Sequence, residues 1–169
     1  FNQTAIAYVE AATNNFDGTY FDAPKPSAIV TAAILYTNID GSNKKFAIQG
    51  KAEHSINQDE IISLGFKTNT DASTLLTLSI DYLEGDFLTG NTIYLKDNLL
   101  NTLHDLSASN YTFTSDVGEF NTRFEIVFSA NALSVNDIAA DANALKISEL
   151  QDDQVQFSTS NNLSIKSVR

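Results

Sequence analysis

The sequence predicts an all-β protein: an antiparallel β-sandwich of the jelly-roll type, followed by a short, incomplete β-rich segment. Three observations predict it. Apolar residues recur at every second position in run after run, as on half-buried strands whose side chains alternate between two faces. Turn-forming Gly, Asn, Asp and Pro residues separate these runs at spacings of about 8–12 residues, which is the rhythm of a sandwich. No long stretch carries a helical period with caps; Ala139 to Leu145 comes nearest, and Asn and Asp interrupt it.

Taken in order, residues 3–9 alternate and form the first strand. Residues 10–28 turn to loop chemistry. Asn14-Asn15 and Asp17-Gly18 favour turns, while Pro24 and Pro26 bar a central strand. Residues 28–39 are a continuous apolar run containing Ile29, Val30, Ile34, Leu35 and Tyr36. Asp40-Gly41 then makes a hairpin into Phe46-Ala47-Ile48, with Gly taking the positive φ. Ile62, Leu64 and Phe66 share one face of the next strand. Residues 74–83 read as the clearest strand of all, with Leu76, Leu78, Ile80 and Tyr82 on one side and Thr77, Ser79 and Asp81 on the other.

Residues 91–128 organise the chain. Ile93 and Leu95 share one side of a first run, Tyr111 and Phe113 of a second, and Phe124, Ile126 and Phe128 of a third. The apolar stretch at 96–108 reads as a crossover that tucks Leu103 and Leu106 under a sheet edge, and such connections between sheets favour the jelly roll over an immunoglobulin-like topology. A connection containing Gly118 turns the chain into the third run. The predicted core includes Leu78, Ile80, Phe113, Phe124 and Ile126. The sandwich is expected over 1–130, a linker rich in Ala, Asn and Asp over 131–144, and a second β-rich segment over 145–169. That segment has short runs at Leu145-Lys146-Ile147, Val155-Gln156-Phe157 and Leu163 to Val168, too few apolar residues to close a core of their own.

Composition narrows function. The formal charge is −11 with no basic stripe, which argues against nucleic acid and against an anionic membrane surface. No apolar run approaches the roughly 18 residues of a membrane span. Cysteine is absent, so disulfides and thiolate chemistry are excluded. No signal peptide is visible at Phe1, and the chain reads as a fragment of something longer.

Few residues offer chemistry. His54 and His104 are the only imidazoles; a catalytic or metal pair would need both at one site, and surface or loop-packing roles are expected for both. There is no Gly-x-Ser-x-Gly elbow, no phosphate loop and no dinucleotide fingerprint. Paired carboxylates such as Asp59-Glu60 and Asp152-Asp153 fall in turns. A hydrolase is therefore disfavoured and no cofactor is expected. The acidic loop is the best candidate site: Asn14, Asn15, Asp17 and Asp22 supply the oxygen ligands that calcium takes, with Asn15, Asp17 and Asp22 as the proposed ligand set. The competing reading is an Asx-turn loop pinned by Phe16, Tyr20 and Phe21. Most aromatic residues fall on apolar sides of alternating runs and Trp is absent, so core packing is favoured over a sugar-stacking platform.

The run Ile93-Tyr94-Leu95-Lys96-Asp97, then His104-Asp105-Leu106, then Tyr111-Thr112-Phe113-Thr114, then Arg123-Phe124-Glu125-Ile126-Val127-Phe128 resembles the last β-domain of large proteins that Bacteroidetes-type bacteria export by the type 9 secretion system. Residues 12–23 resemble an Ala-Thr…Asp…Tyr-Asp-Ala loop of the same domain, so the resemblance covers most of 3–128. Leu133-Ser134-Val135-Asn136-Asp137, followed by a strand pattern ending Ile165-Lys166-Ser167-Val168-Arg169, looks like the opening of a type 9 sorting domain. In that family the chain continues into another strand and a Gly-containing turn. Its commonest version has Tyr-Pro-Asn-Pro near the start, whereas residues 147–153 here read Ile-Ser-Glu-Leu-Gln-Asp-Asp. The resemblance implies a non-catalytic module of a secreted or cell-surface, adhesin-like protein. It also implies recognition by the outer-membrane translocon and by the shuttle β-barrel protein that collects cargo. The alternative is a carbohydrate- or other ligand-binding module, calcium-dependent through the acidic loop, carried by an adhesin or a polysaccharide-degrading enzyme.

Overall fold

The computed structural model describes residues 2–26, 32–71 and 73–130, and the backbone of two later strands. The chain divides into two compact units, Phe1–Leu133 and Ser134–Arg169.

The first unit is all-β and sandwich-like. Its strands are β1 (Ala5–Val9), β2 (Ala23–Pro24), β3 (Ala33–Thr37), β4 (Phe46–Ala52), β5 (Ile61–Thr68), β6 (Leu76–Leu78), β7 (Tyr94–Asp97), β8 (Thr102–Asp105), β9 (Tyr111–Phe113) and β10 (Gly118–Val127). A 3-10 turn at Glu53–Ser55 and a one-turn helix at Asp86–Gly90 are the helical pieces among the described residues. The large sheet runs β1-β4-β3-β5-β10-β7-β8, with β2 also on β4, and β6 and β9 form the second sheet. The sheets meet through aromatic rings: Phe113 of β9 packs edge-on against Phe66 of β5 and Phe124 of β10, with centroids 5.3 and 5.0 Å away. Ile62, Leu64, Phe66, Ile93, Leu95, Leu106, Phe113, Phe124 and Phe128 are the buried core. The alternation of β5 is visible directly, since Ile62, Leu64 and Phe66 are buried while Ile61 is exposed. Leu78, Ile80 and Ile126 are half-buried against that core rather than inside it.

Four details depart from the expected pattern. The β1–β4 pair is parallel, because those strands are joined through β2 and β3 and no hairpin forces them antiparallel. The strand expected over 74–83 pairs only at 76–78, since its partner β9 is three residues long; Tyr82, beyond that pairing, is 75% exposed. The stretch 96–108 is a hairpin, not a crossover. β7 pairs β8 in register from Tyr94↔Asp105 to Asp97↔Thr102, and Asn101 takes a φ of +50° at the turn. Within that stretch Leu106 is buried as expected and Leu103 is half-buried. Lastly, Asp40-Gly41 does turn, with Gly41 at φ +77°, but β3 and β4 share only the Thr37↔Phe46 pair, and β3 pairs mainly with β5.

Central Gly65 of β5 lies opposite Tyr36 of β3. The Tyr36 ring lies where a Gly65 side chain would begin, so an aromatic covers the backbone that the glycine leaves bare. Tyr36 is fully buried and its hydroxyl donates to Asn121 Oδ1 at 2.7 Å. Gly65→Ala is expected to cost about 1–3 kcal/mol through overpacking. Most of that cost should vanish in a Tyr36→Leu background, a coupling that a double-mutant cycle in urea measures.

The second unit contains an antiparallel hairpin, β11 (Leu145–Glu149) and β12 (Val155–Thr159), with Ile147 opposite Phe157. The predicted linker at 131–144 and the third predicted run, Leu163 to Val168, lie outside the described residues.

Candidate functional site

A bulge in β10 positions the most concentrated polar chemistry in the fold. Phe120 pairs Phe66 and Phe124 pairs Leu64, so β10 advances four residues where β5 advances two. The extra residues leave Asn121, Thr122 and Arg123 off the β5 ladder and turn the strand locally. Their carbonyls are still satisfied. Asn38 Nδ2 donates to Asn121 O, Asn98 Nδ2 to Thr122 O, and the Asn98 backbone N–H to Arg123 O at 2.7 Å. The bulge directs the Arg123 side chain inward, toward Asp97 at the end of β7.

Asp97 is 0% exposed and Arg123 4%. Arg123 Nη2 donates to Asp97 Oδ2 at 2.9 Å, and Nε lies 3.2–3.3 Å from both carboxylate oxygens. Arg123 also donates to the Thr114 carbonyl from both Nη atoms at 3.3 Å. Its guanidinium stacks over Phe113 and Phe124, 4.7 and 4.8 Å from their centroids. Asp97 accepts further bonds from Tyr111 Oη at 3.0 Å and from the Leu99 and Leu100 N–H groups of the hairpin turn. Burial and then the carboxylate raise the Tyr111 hydroxyl's pKa. A buried ion pair survives only when its remaining donors and acceptors are satisfied, and here both partners are. The network is closed on all sides. It ties β7, the hairpin turn, β9 and β10 together and presents no open carboxylate edge to a substrate.

The residues of the expected calcium site are partly brought together. Asp22 is buried; one oxygen accepts the Asp17 N–H at 2.8 Å and the other the Gly50 N–H at 3.1 Å. The Asp17 carboxylate accepts from the Thr13 N–H and from Thr13 Oγ1. Asn15 is exposed, and its N–H donates to Thr13 Oγ1. The Asp22 carboxylate therefore meets the backbone of Asp17, not its side chain, in an Asx-type arrangement. Phe16 pins the loop on Phe46 with centroids 5.4 Å apart, and the Phe21 carbonyl accepts from Gly50. Tyr20, the third expected pin, is 91% exposed. Among the described residues no group of three His, Asp or Glu side chains is arranged to hold a metal ion. Asp22→Ala is expected to cost about 1–3 kcal/mol by leaving the Asp17 N–H without its acceptor, while the Gly50 N–H keeps the Phe21 carbonyl. Melting curves recorded with calcium and with chelator should superimpose. A calcium-dependent rise in melting temperature would instead place an ion on the folded loop.

The two histidines lie on separate elements. His54 is exposed in the 3-10 turn. His104 packs its ring on Tyr111, with Nε2 2.9 Å from the Ser109 carbonyl, while the Asp105 side chain caps Ala108. A second polar cluster joins Lys51 to Glu60, Nζ to Oε1 at 2.9 Å, both nearly buried. The Tyr8 hydroxyl's pKa is raised by burial and by Glu60. On the surface, the hydrogen bond from Lys45 holds Glu119 below the ordinary carboxylate range. Its contribution to stability is present above the unfolded carboxylate's range and fades as acid protonates it.

An open cleft of about 270 Å³ lies between β3 and β6, lined by Leu35, Phe66, Leu76, Leu78 and Phe113 with Asn2 and Thr77 at its polar side. None of the described helices is long and apolar enough to cross a membrane.

The period-two pattern contained a signal for the buried pair. Ile93, Leu95 and Asp97 fall on one side of their strand, so a carboxylate interrupts an apolar face. Such a group demands a buried partner, and Arg123, among the most apolar residues of the chain, is the natural one.

Comparison with known proteins gives one family. Residues 1–128 match the model of a domain of unknown function, DUF8693. No curated protein and no solved structure matches the chain.

Proposed function

The chain belongs to the DUF8693 family, and we propose that it is a non-catalytic module of an exported surface protein. On this reading it carries the start of a type 9 sorting domain, and its partners are the outer-membrane translocon and the shuttle β-barrel protein. The protein is then secreted or displayed at the cell surface, in an adhesin-like role. The observation that carries the reading is the ordered string of short motifs over 93–128. Its resemblance is to the last β-domain of type 9 cargo. Residues of all four motifs build one region of this fold: Asp97 from the first, Leu106 from the second, Tyr111, Phe113 and Thr114 from the third, Arg123 and Phe124 from the fourth. A separate compact unit containing the β11–β12 hairpin follows where that family places its sorting domain.

Co-purification tests the proposal. A tagged 169-residue chain expressed in a type 9-competent cell should retain the shuttle and translocon, and a chain ending at Leu133 should lose them. Equal recovery of the shuttle and translocon by the two chains would defeat the sorting reading.

The second reading is a ligand-binding module, for which the open cleft between β3 and β6 is the place to test. Its apolar lining suits a hydrophobic ligand better than a polysaccharide, which needs aligned polar groups and exposed aromatic faces. Amide shifts of Leu76–Leu78 on titration with soluble oligosaccharides would detect a sugar there, and unchanged spectra would count against the polysaccharide.

A further inference from the structure

We draw no further inference here: the strongest candidate, the exposed apolar tip that Leu99 and Leu100 form on the β7–β8 hairpin above the buried Asp97, is a surface patch, and nothing in the structure shows what covers it.

Discussion

Arg123→Met is expected to lower the unfolding free energy by about 3–5 kcal/mol, the usual consequence of removing one partner from a buried ion pair. The substitution keeps much of the apolar stem that packs between Phe113 and Phe124. It strips Asp97 of its only counter-charge among the described residues, in a site that water does not reach. Asp97 would keep Tyr111 and the Leu99 and Leu100 N–H groups, which accommodate a carboxylate incompletely. Adding Asp97→Asn to that variant should restore part of the loss, because a neutral amide costs less to bury than an unpaired charge. Chemical denaturation of the two single variants and the double variant gives the coupling directly. Hydrogen exchange at Leu99 and Leu100 should accelerate in Arg123→Met, since the carboxylate that caps the hairpin turn loses its anchor. Additive losses, or a single-variant loss below about 1 kcal/mol, would mean that the pair is not the clasp of this end of the fold.

The part of the fold legible in the sequence is the part that alternation encodes. Ile62, Leu64 and Phe66, then Ile93 and Leu95, then Phe124 and Phe128 all face the core that their spacing predicts. Pairing length was not legible. Leu76, Leu78, Ile80 and Tyr82 alternate as well as any residues in the chain, yet the strand ends at Leu78 because β9 offers no further partner. A strand's extent belongs to two segments, and one segment's pattern cannot report it. Connection type was hidden for a similar reason. The apolar stretch at 96–108 reads as a crossover burying Leu103 and Leu106, whereas the Asp97 carboxylate caps the Leu99 and Leu100 N–H groups and lets a hairpin turn stand in solvent. The parallel β1–β4 pair depends on chain path, about which period-two spacing says nothing. In the acidic loop the residue types were legible as oxygen donors, but their targets were not. Asp22 reaches across to Gly50, twenty-eight positions away, and only the fold shows that its oxygens meet backbone N–H groups.

Phe124→Ala is expected to cost about 3–5 kcal/mol, from lost burial and from the cavity left behind. Phe124 is fully buried, and its ring meets Phe66, Tyr111 and Phe113 at centroid distances of 6.0, 6.4 and 5.0 Å. The Arg123 guanidinium lies over the same ring, so truncation also removes part of the surface that shields the ion pair. The cost should therefore exceed that of Ile126→Ala, an equally apolar position on the same strand that is only half-buried. It should also be less than additive with Arg123→Met, because either change loosens the same corner between β7, β9 and β10. Phe124→Leu separates the two contributions. It restores most of the lost volume and should recover much of the cavity penalty, but it cannot replace the ring face beneath the guanidinium. Urea denaturation of the four single variants, and of Phe124→Ala combined with Arg123→Met, orders them. Phe124→Ala falling below about 1 kcal/mol would show that this face of β10 is not the core, and Phe124→Leu matching wild type would show that the cation–ring contact contributes nothing to stability.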